Sequence, residues 1–314
     1  MKSMKKKIWI VEHGERRTLS GVTFGKQDNP LTEGAIQIWF HGTRGSLPAP
    51  GPETVEYGGN TACVSVECGK NLIILDSGSG IRGYGSQLNG GMSKYDNKGL
   101  VLISHVHWDH IQGFPFFGPF YDAKNEFTIC GPKSVNYKLE TVLKGQMQPP
   151  NFPIRLSDLP AKINFRELQP RTYHFGDITV RAARTQHPQT VAFSYRINYC
   201  GKTIVYATDT EHYRNELDAD MVKQAKDADV LIYDAQYTPE EYPSKIGWGH
   251  STWEEGVKLA RAVNAKLLVL FHHDPTSSDA KIQKIEESTK REFSASIAAK
   301  EGTGICIDNE QCAE

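Results

Sequence analysis

Ser104-His105-Val106-His107-Trp108-Asp109-His110 is the stretch on which the reading of this chain turns. Three histidines and an aspartate fall within six positions, directly after an apolar run, Val101 to Ser104, that reads as a strand. Imidazole and carboxylate at that density suit Zn²⁺ and similar borderline ions. A turn from strand into helix here aims His105 and His107 at one ion, and Asp109 and His110 at another. Six residues cannot complete two coordination shells, so further ligands are expected at the ends of other strands.

Such residues exist. His187 follows a strand that begins at Ile178, Asp209 closes Val205-Tyr206-Ala207-Thr208-Asp209, and His272 ends the run Leu267-Leu268-Val269-Leu270-Phe271. Each is a ligand-type side chain where a hydrophobic strand runs out, the usual site edge of an α/β fold. His105, His107 and His187 are expected to hold the first ion, and Asp109, His110 and His272 the second. Asp209 is expected to bridge them, its charge offsetting part of the repulsion between two cations. His273 is a direct rival to His272. Asp76, in Leu75-Asp76-Ser77-Gly78-Ser79-Gly80, reads as a residue that orients a ligand or the 105–110 turn through hydrogen bonds.

His250 stands immediately before Ser251, which reads as a helix N-cap with Glu254 three residues on. Unpaired amides at a helix start favour an anion, so His250 is placed to hold a phosphate oxygen or protonate a leaving group. His250, Asp109 and Asp209 are therefore the candidate catalytic residues. Two divalent ions lower the pKa of a shared water and neutralise phosphoryl oxygens during in-line attack. The ligand set contains no thiolate, which favours hydrolysis. Zinc is the first choice of metal, with manganese or iron compatible with the same donors.

Composition sets the frame. The chain has 314 residues, 39% of them hydrophobic, and its 36 basic side chains nearly balance 37 acidic ones. That suits one large domain or at most two, gives no broad electrostatic reason to bind nucleic acid, and leaves no apolar run long enough to span a membrane. The basic first residues precede too short an apolar run for a secretory signal, so a cytoplasmic location is expected. The six cysteines include no CxxC pair and read mostly as buried thiols.

From Ala35 onward, short β-rich runs alternate with glycine turns, and helices are interleaved later. Helices are expected over Lys133 to Leu143, Glu216 to Lys226, the residues after Ser251, and Lys281 to Ala298. The order suggests an α/β sandwich of two sheets flanked by helices. Residues 1–34 read as an N-terminal extension and 35–314 as one hydrolase domain. Residues 42–60 and 146–171, rich in proline, read as irregular segments, rims of a pocket or an oligomer surface.

The constellation resembles the metallo-β-lactamase superfamily. Asp76, then His105, His107, Asp109 and His110, then His187, Asp209 and His272 match its pattern in order, over residues 35 to 275. The resemblance implies a four-layer αβ/βα sandwich with a dinuclear site along the edge between its sheets. Gly42-Thr43-Arg44-Gly45-Ser46, Asn60-Thr61 and Gly249-His250-Ser251-Thr252 are similar to the phosphodiesterase branch. That branch includes ribonuclease Z, the phosphoribosyl cyclic phosphodiesterase and other cyclic-phosphate hydrolases. There the histidine matched by His250 assists at the scissile phosphate.

Departures narrow the resemblance. Only 21 residues separate His187 from Asp209, where arm-bearing ribonuclease Z carries its tRNA-gripping arm. Redox diiron relatives have glutamate where this chain has His107. Cysteines arranged for the accessory zinc of the phosphonate-pathway enzyme are lacking. The expected substrate is thus a small phosphodiester, a cyclic nucleotide or cyclic sugar phosphate, with an RNA 3′-end nuclease as the alternative and a non-catalytic scaffold as a third class. Aromatics in 111–121 either wall a base-stacking pocket or are core and dimer contacts. Arg44, Arg184 and Lys245 are candidate phosphate-binding cations. A homodimer is expected through apolar surface of 111–121 and 146–171.

Overall fold

Ile36, Ile38 and Phe40 alternate with Gln37, Trp39 and His41, so a strand here turns one face into apolar surroundings. The burial follows the alternation: the first three are fully buried and the others half-buried. The computed structural model describes residues 6–12, 15–18, 25–26, 33–88, 91–213 and 216–309.

One sheet contains β1 (Lys6–Glu12), β2 (Glu15–Thr18), β3 (Gly25–Lys26), β4 (Ile36–Gly42), β5 (Cys63–Cys68), β6 (Asn71–Leu75), β7 (Lys98–Leu102), β8 (Glu126–Pro132) and β9 (Lys162–Leu168). The second contains β10 (Thr172–Phe175), β11 (Ile178–Arg184), β12 (Phe193–Tyr199), β13 (Lys202–Ala207), β14 (Val230–Asp234), β15 (Leu267–Phe271) and β16 (Ser296–Ala298). The chain then returns to the first sheet, where β17 (Gly304–Asn309) lies between β1 and β4. Strands β6 to β9 run parallel, as do β13 to β16. Parallel strands deliver all their C-terminal ends to one edge, and in both sheets those ends carry the polar residues singled out above.

The two sheets pack face to face through Phe40, Val64, Val66, Tyr195, Tyr206, Val269 and Phe271. Outside the first sheet lie α1 (Gly80–Gln87), the single turn α2 (Trp108–Ile111) and α3 (Leu139–Gln146), and outside the second lie α4 (Ala219–Ala225), α5 (Trp253–Ala262) and α6 (Asp279–Glu292). The result is the expected four-layer αβ/βα sandwich. Strands β14 and β15 are buried at every position, as parallel strands covered on both faces must be. No helix among the described residues is long and apolar enough to cross a membrane.

Several local expectations need correction. The helix expected from Lys133 begins only at Leu139, and Val135, expected on its buried face, is 98% exposed. Residues 146–171 are not wholly irregular, because β9 extends β8 in parallel register. The helix expected to reach Ala298 stops at Glu292. Beyond it, Ile297 pairs with Val269 in a strand, a long-range register that local periodicity does not encode. The cap of α5 is Thr252, whose hydroxyl accepts from Glu255 N, not Ser251. Phe114, Phe117 and Phe120 are fully buried in the core outside the first sheet, which leaves Phe116 and Tyr121 as the exposed aromatics of that loop. Four cysteines, Cys63, Cys68, Cys130 and Cys306, are buried on strands, and Cys200 is exposed; Cys312 lies outside the described residues.

Arg44 is not a phosphate-binding cation. It is fully buried, with Nε donating to Gly58 O at 2.8 Å and Nη1 to Asp274 O and Ser277 O at 3.1 and 2.5 Å. Its guanidinium fastens the 42–60 segment to the chain after β15. Arg44→Met is expected to destabilise the fold by about 3 kcal/mol in denaturant titrations, since three carbonyls lose a charged donor.

Candidate metal centre

The site forms where strand ends converge. His105 and His107 follow β7, His187 follows β11, Asp209 follows β13, and His272 directly follows β15. Asp76, Asp209 and His272 have φ of 59°, 51° and 63°. This left-handed turn is tolerated best by Asp, Asn and Gly, and its strain concentrates at functional sites.

Two groups of side chains result. In the first, His187 Nε2 lies 3.1 Å from His107 Nδ1, and His105 Nε2 lies 3.6 Å from Asp209 Oδ1. In the second, Asp109 Oδ2 lies 3.2 Å from both His110 Nε2 and His272 Nε2, which are 3.1 Å apart. Asp209 stands between the groups. Its Oδ1 faces His105 and His187, while Oδ2 lies 3.2 Å from His110 Nε2 and 3.3 Å from His272 Nε2.

Surrounding groups aim these rings. His110 Nδ1 donates to Asp76 Oδ2 at 2.7 Å, His187 Nδ1 to Gly249 O at 3.1 Å, and His272 Nδ1 to Gln236 Oε1 at 3.1 Å. Each partner is an acceptor, so Nδ1 carries a proton and Nε2 is the nitrogen turned inward. Asp76 is itself held by Ser104 N and Oγ and by the Tyr206 hydroxyl, the orienting role expected of it. The backbone amide of Ser46 donates to Asp109 Oδ2 at 2.7 Å. Gly45 lies so close to the His272 ring that an added Cβ would meet it at 2.4 Å.

Electrostatics separate the groups. Burial, then the neighbouring imidazoles, holds His105 well below its usual pKa, and burial lowers His107 and His187. These three rings are kept neutral, the ligand form. Burial also opposes charge on His110, but Asp109, Asp209 and Asp76 outweigh it and push that ring well up. Burial would raise Asp109 and Asp209, yet the adjacent histidines hold both carboxyls well below the usual range.

The residues fit divalent cations. His105 Nε2 is a fully buried ring nitrogen with no hydrogen-bond partner. Three sets of ligand atoms, His105–His107–His187, His105–His110–Asp209 and Asp109–His110–His272, each lie within 4.8 Å. Imidazole nitrogens and carboxylate oxygens converge on the same points, and a cation satisfies such a set at once.

His250 joins from the side. Its Nδ1 donates to Asp234 Oδ2 at 2.9 Å, and its ring stacks on His272 at 5.0 Å. Burial alone would lower its pKa, but the charge and hydrogen bond of Asp234, helped by Asp209, push it up to about 9. Two amides beside the start of α5 are already occupied, Ser251 N by Asp234 Oδ1 and Glu255 N by the Thr252 hydroxyl. His273 points away, donating from Nε2 to Ala299 O at 2.9 Å, and burial lowers it to about 3. Of the two neighbours, His272 is therefore the one in the cluster.

Asp234 was not singled out from the sequence. Its signal was present, a carboxylate closing the apolar run Val230–Asp234, the same cue that marked Asp209. Gln236 and Glu211 had no such cue. Glu211 holds the loop before His250 by accepting from Gly247 N at 2.7 Å and Gly249 N at 2.9 Å. Gly249 has φ of +89°, and a Cβ there would lie 2.1 Å from His187 Nδ1. Gly249→Ala is accordingly expected to displace His187 and weaken metal binding about 10- to 100-fold in a competitive chelator titration, with the fold retained.

A family model described as "Beta-lactamase superfamily domain" matches residues 73–273, the span from β6 to the residue after His272. The chain belongs to the beta-lactamase superfamily. Within that superfamily, it is 24% identical to ribonuclease Z of Thermoplasma acidophilum over 85% of this chain and 94% of that one. It is 25% identical to ribonuclease Z of Archaeoglobus fulgidus, over 85% and 96%. Among solved structures, the metallo-beta-lactamase fold protein YhfI from Bacillus subtilis shares the fold, with a TM-score of 0.63 and 19% identity over 86% of this chain and 98% of that one. A diphosphatase from the PhnP family superposes with a TM-score of 0.62 and 19% identity, covering 89% and 100%.

Proposed function

We propose that this beta-lactamase superfamily chain is a metal-dependent phosphodiesterase that hydrolyses a small, cyclic phosphodiester at a two-cation centre. The observation that carries the reading is Asp209, which directs one carboxylate oxygen to each group of histidines. His105, His107 and His187 would hold one cation, Asp109, His110 and His272 the other, and Asp209 both. Zinc suits these donors best, with manganese and iron as alternatives. Bound there, the pair supplies a water of lowered pKa and positive charge for phosphoryl oxygens.

The chain's own residues do the rest. Asp234 fixes the proton on His250 Nδ1, which leaves Nε2 as the nitrogen that donates to the departing oxygen. Asp109, kept ionised and aimed by Ser46 N, and Asp209 hold the negative charge that positions the reacting centre.

Cleavage of RNA is the second reading, favoured by the ribonuclease Z relatives and their near full-length coverage. Against it, the residues between His187 and Asp209 form the hairpin β12–β13 and not an arm, and a net charge of −1 supplies no overall basic excess for a polyanion. The test is turnover of 2′,3′- and 3′,5′-cyclic nucleotides, cyclic ribose phosphates and precursor tRNA with defined metals. Faster turnover of a cyclic phosphodiester is expected. Precursor tRNA as the best substrate would establish the second reading instead.

A further inference from the structure

The loop that leads into His250 carries a cation and an aromatic ring that the proposed chemistry does not use. Trp248 is 56% exposed, although it lies two residues from His250 and beside Gly249, whose carbonyl accepts from His187. Lys245 Nζ rests 4.1 Å from the centre of the Trp248 ring and 5.8 Å from that of Tyr237. Tyr237 in turn stands edge-on to His250 at 5.9 Å. Lys245 is half-buried and forms no ion pair with any described carboxylate.

The loop is held ready. Glu211 accepts from the amides of Gly247 and Gly249 and from the Tyr242 hydroxyl. Lys245 N donates to Tyr242 O, and Trp248 N to Lys245 O. A large exposed ring on a backbone fixed at this many points loses little entropy when a flat ligand covers it. An ammonium beside two aromatic rings, with no described carboxylate as its partner, is open to an anion.

We propose that Trp248 and Lys245 form a nucleotide-recognition element on the rim of the metal centre. A base stacks on the Trp248 indole, and the Lys245 ammonium binds a phosphate oxygen of the same substrate. This rests on the phosphodiesterase reading and narrows it: the substrate is a nucleobase-bearing phosphodiester, not a cyclic sugar phosphate without a base. In the aromatic loop at 111–121, Phe114, Phe117 and Phe120 are core residues and do not offer a face to a ligand.

The test uses the zinc-loaded full chain and its Trp248→Ala and Lys245→Met variants. Calorimetric titration with adenosine 5′-monophosphate and with ribose 5-phosphate separates base from phosphate. Trp248→Ala is expected to weaken the nucleotide about 10-fold and ribose 5-phosphate little, since only the former has a face to stack. Lys245→Met is expected to weaken both together. In turnover, Trp248→Ala should lower the preference for 2′,3′-cyclic AMP over glycerol 1,2-cyclic phosphate by about 10-fold in kcat/KM. Unchanged nucleotide affinity in Trp248→Ala, or an unchanged preference, overturns the element even if the wild type is an efficient phosphodiesterase. Conversely, Trp248-dependent nucleotide binding with no phosphodiester turnover leaves the element standing and removes the phosphodiesterase reading.

Discussion

Asp209→Ala is expected to lose at least one metal equivalent per chain and to lower kcat on the best phosphodiester by on the order of 10⁴-fold, the scale seen when one member of a cooperating catalytic set is removed. The expectation follows from position. Asp209 is fully enclosed, with one oxygen toward His105 and His187 and the other toward His110 and His272. Without it, two cations would face each other with no shared anion, and four imidazoles would lose their common counter-charge. Alanine is strained at φ of 51°, so a fold defect must be separated from a site defect. Asp209→Asn settles this, because asparagine tolerates that backbone and keeps the shape while removing the charge. Metal analysis and circular dichroism of both variants check the outcome. Full metal content and turnover in Asp209→Asn would remove Asp209 from the centre.

His250→Ala is expected to behave differently, retaining both metal equivalents while kcat falls about 10²- to 10⁴-fold, the usual contribution of a positioned general acid. KM should move little, since the proton is needed only as the leaving oxygen departs. The sign of the pH dependence follows from the same group. An acid must carry its proton, so activity in the wild type is lost as pH rises through the His250 pKa. Asp234 is the leading influence that raises this pKa against burial. Asp234→Asn therefore shifts the alkaline limb of the kcat profile to lower pH, a displacement that a purely structural role for Asp234 would not produce. A profile unchanged in both variants would leave His250 with no part in catalysis.

How far the site could be read from the sequence depends on the kind of residue. His105, His107, Asp109 and His110 are adjacent in the chain, and His187, Asp209 and His272 each end an apolar run, so a strand-end pattern marks all seven before any coordinates. Asp234 carries the same pattern and shows the limit of that reading. Many strands end in a carboxylate, and only its contacts with His250, Ser251 N and Asp209 N give this one a purpose. Arg44 shows the reverse. Its glycine-rich surroundings suggested a phosphate contact, but the glycines let the backbone pack closely and the guanidinium is spent on three carbonyls.

By itself, the sequence marked the candidate donors, the alternation of strands and helices and the two-sheet architecture. These follow from local apolar periodicity and from side-chain chemistry, which need no distant partner. Tertiary structure decided which Asp209 oxygen faces which histidines, that His272 and not His273 enters the cluster, that Asp234 holds His250, and where α3, α5 and α6 begin or end. The site contacts depend on how β13, β14 and β15 align in parallel and how the two sheets meet, and the helix bounds on the sheet each helix covers. Such alignment is set by contacts between residues far apart in the chain, to which no short window of sequence responds.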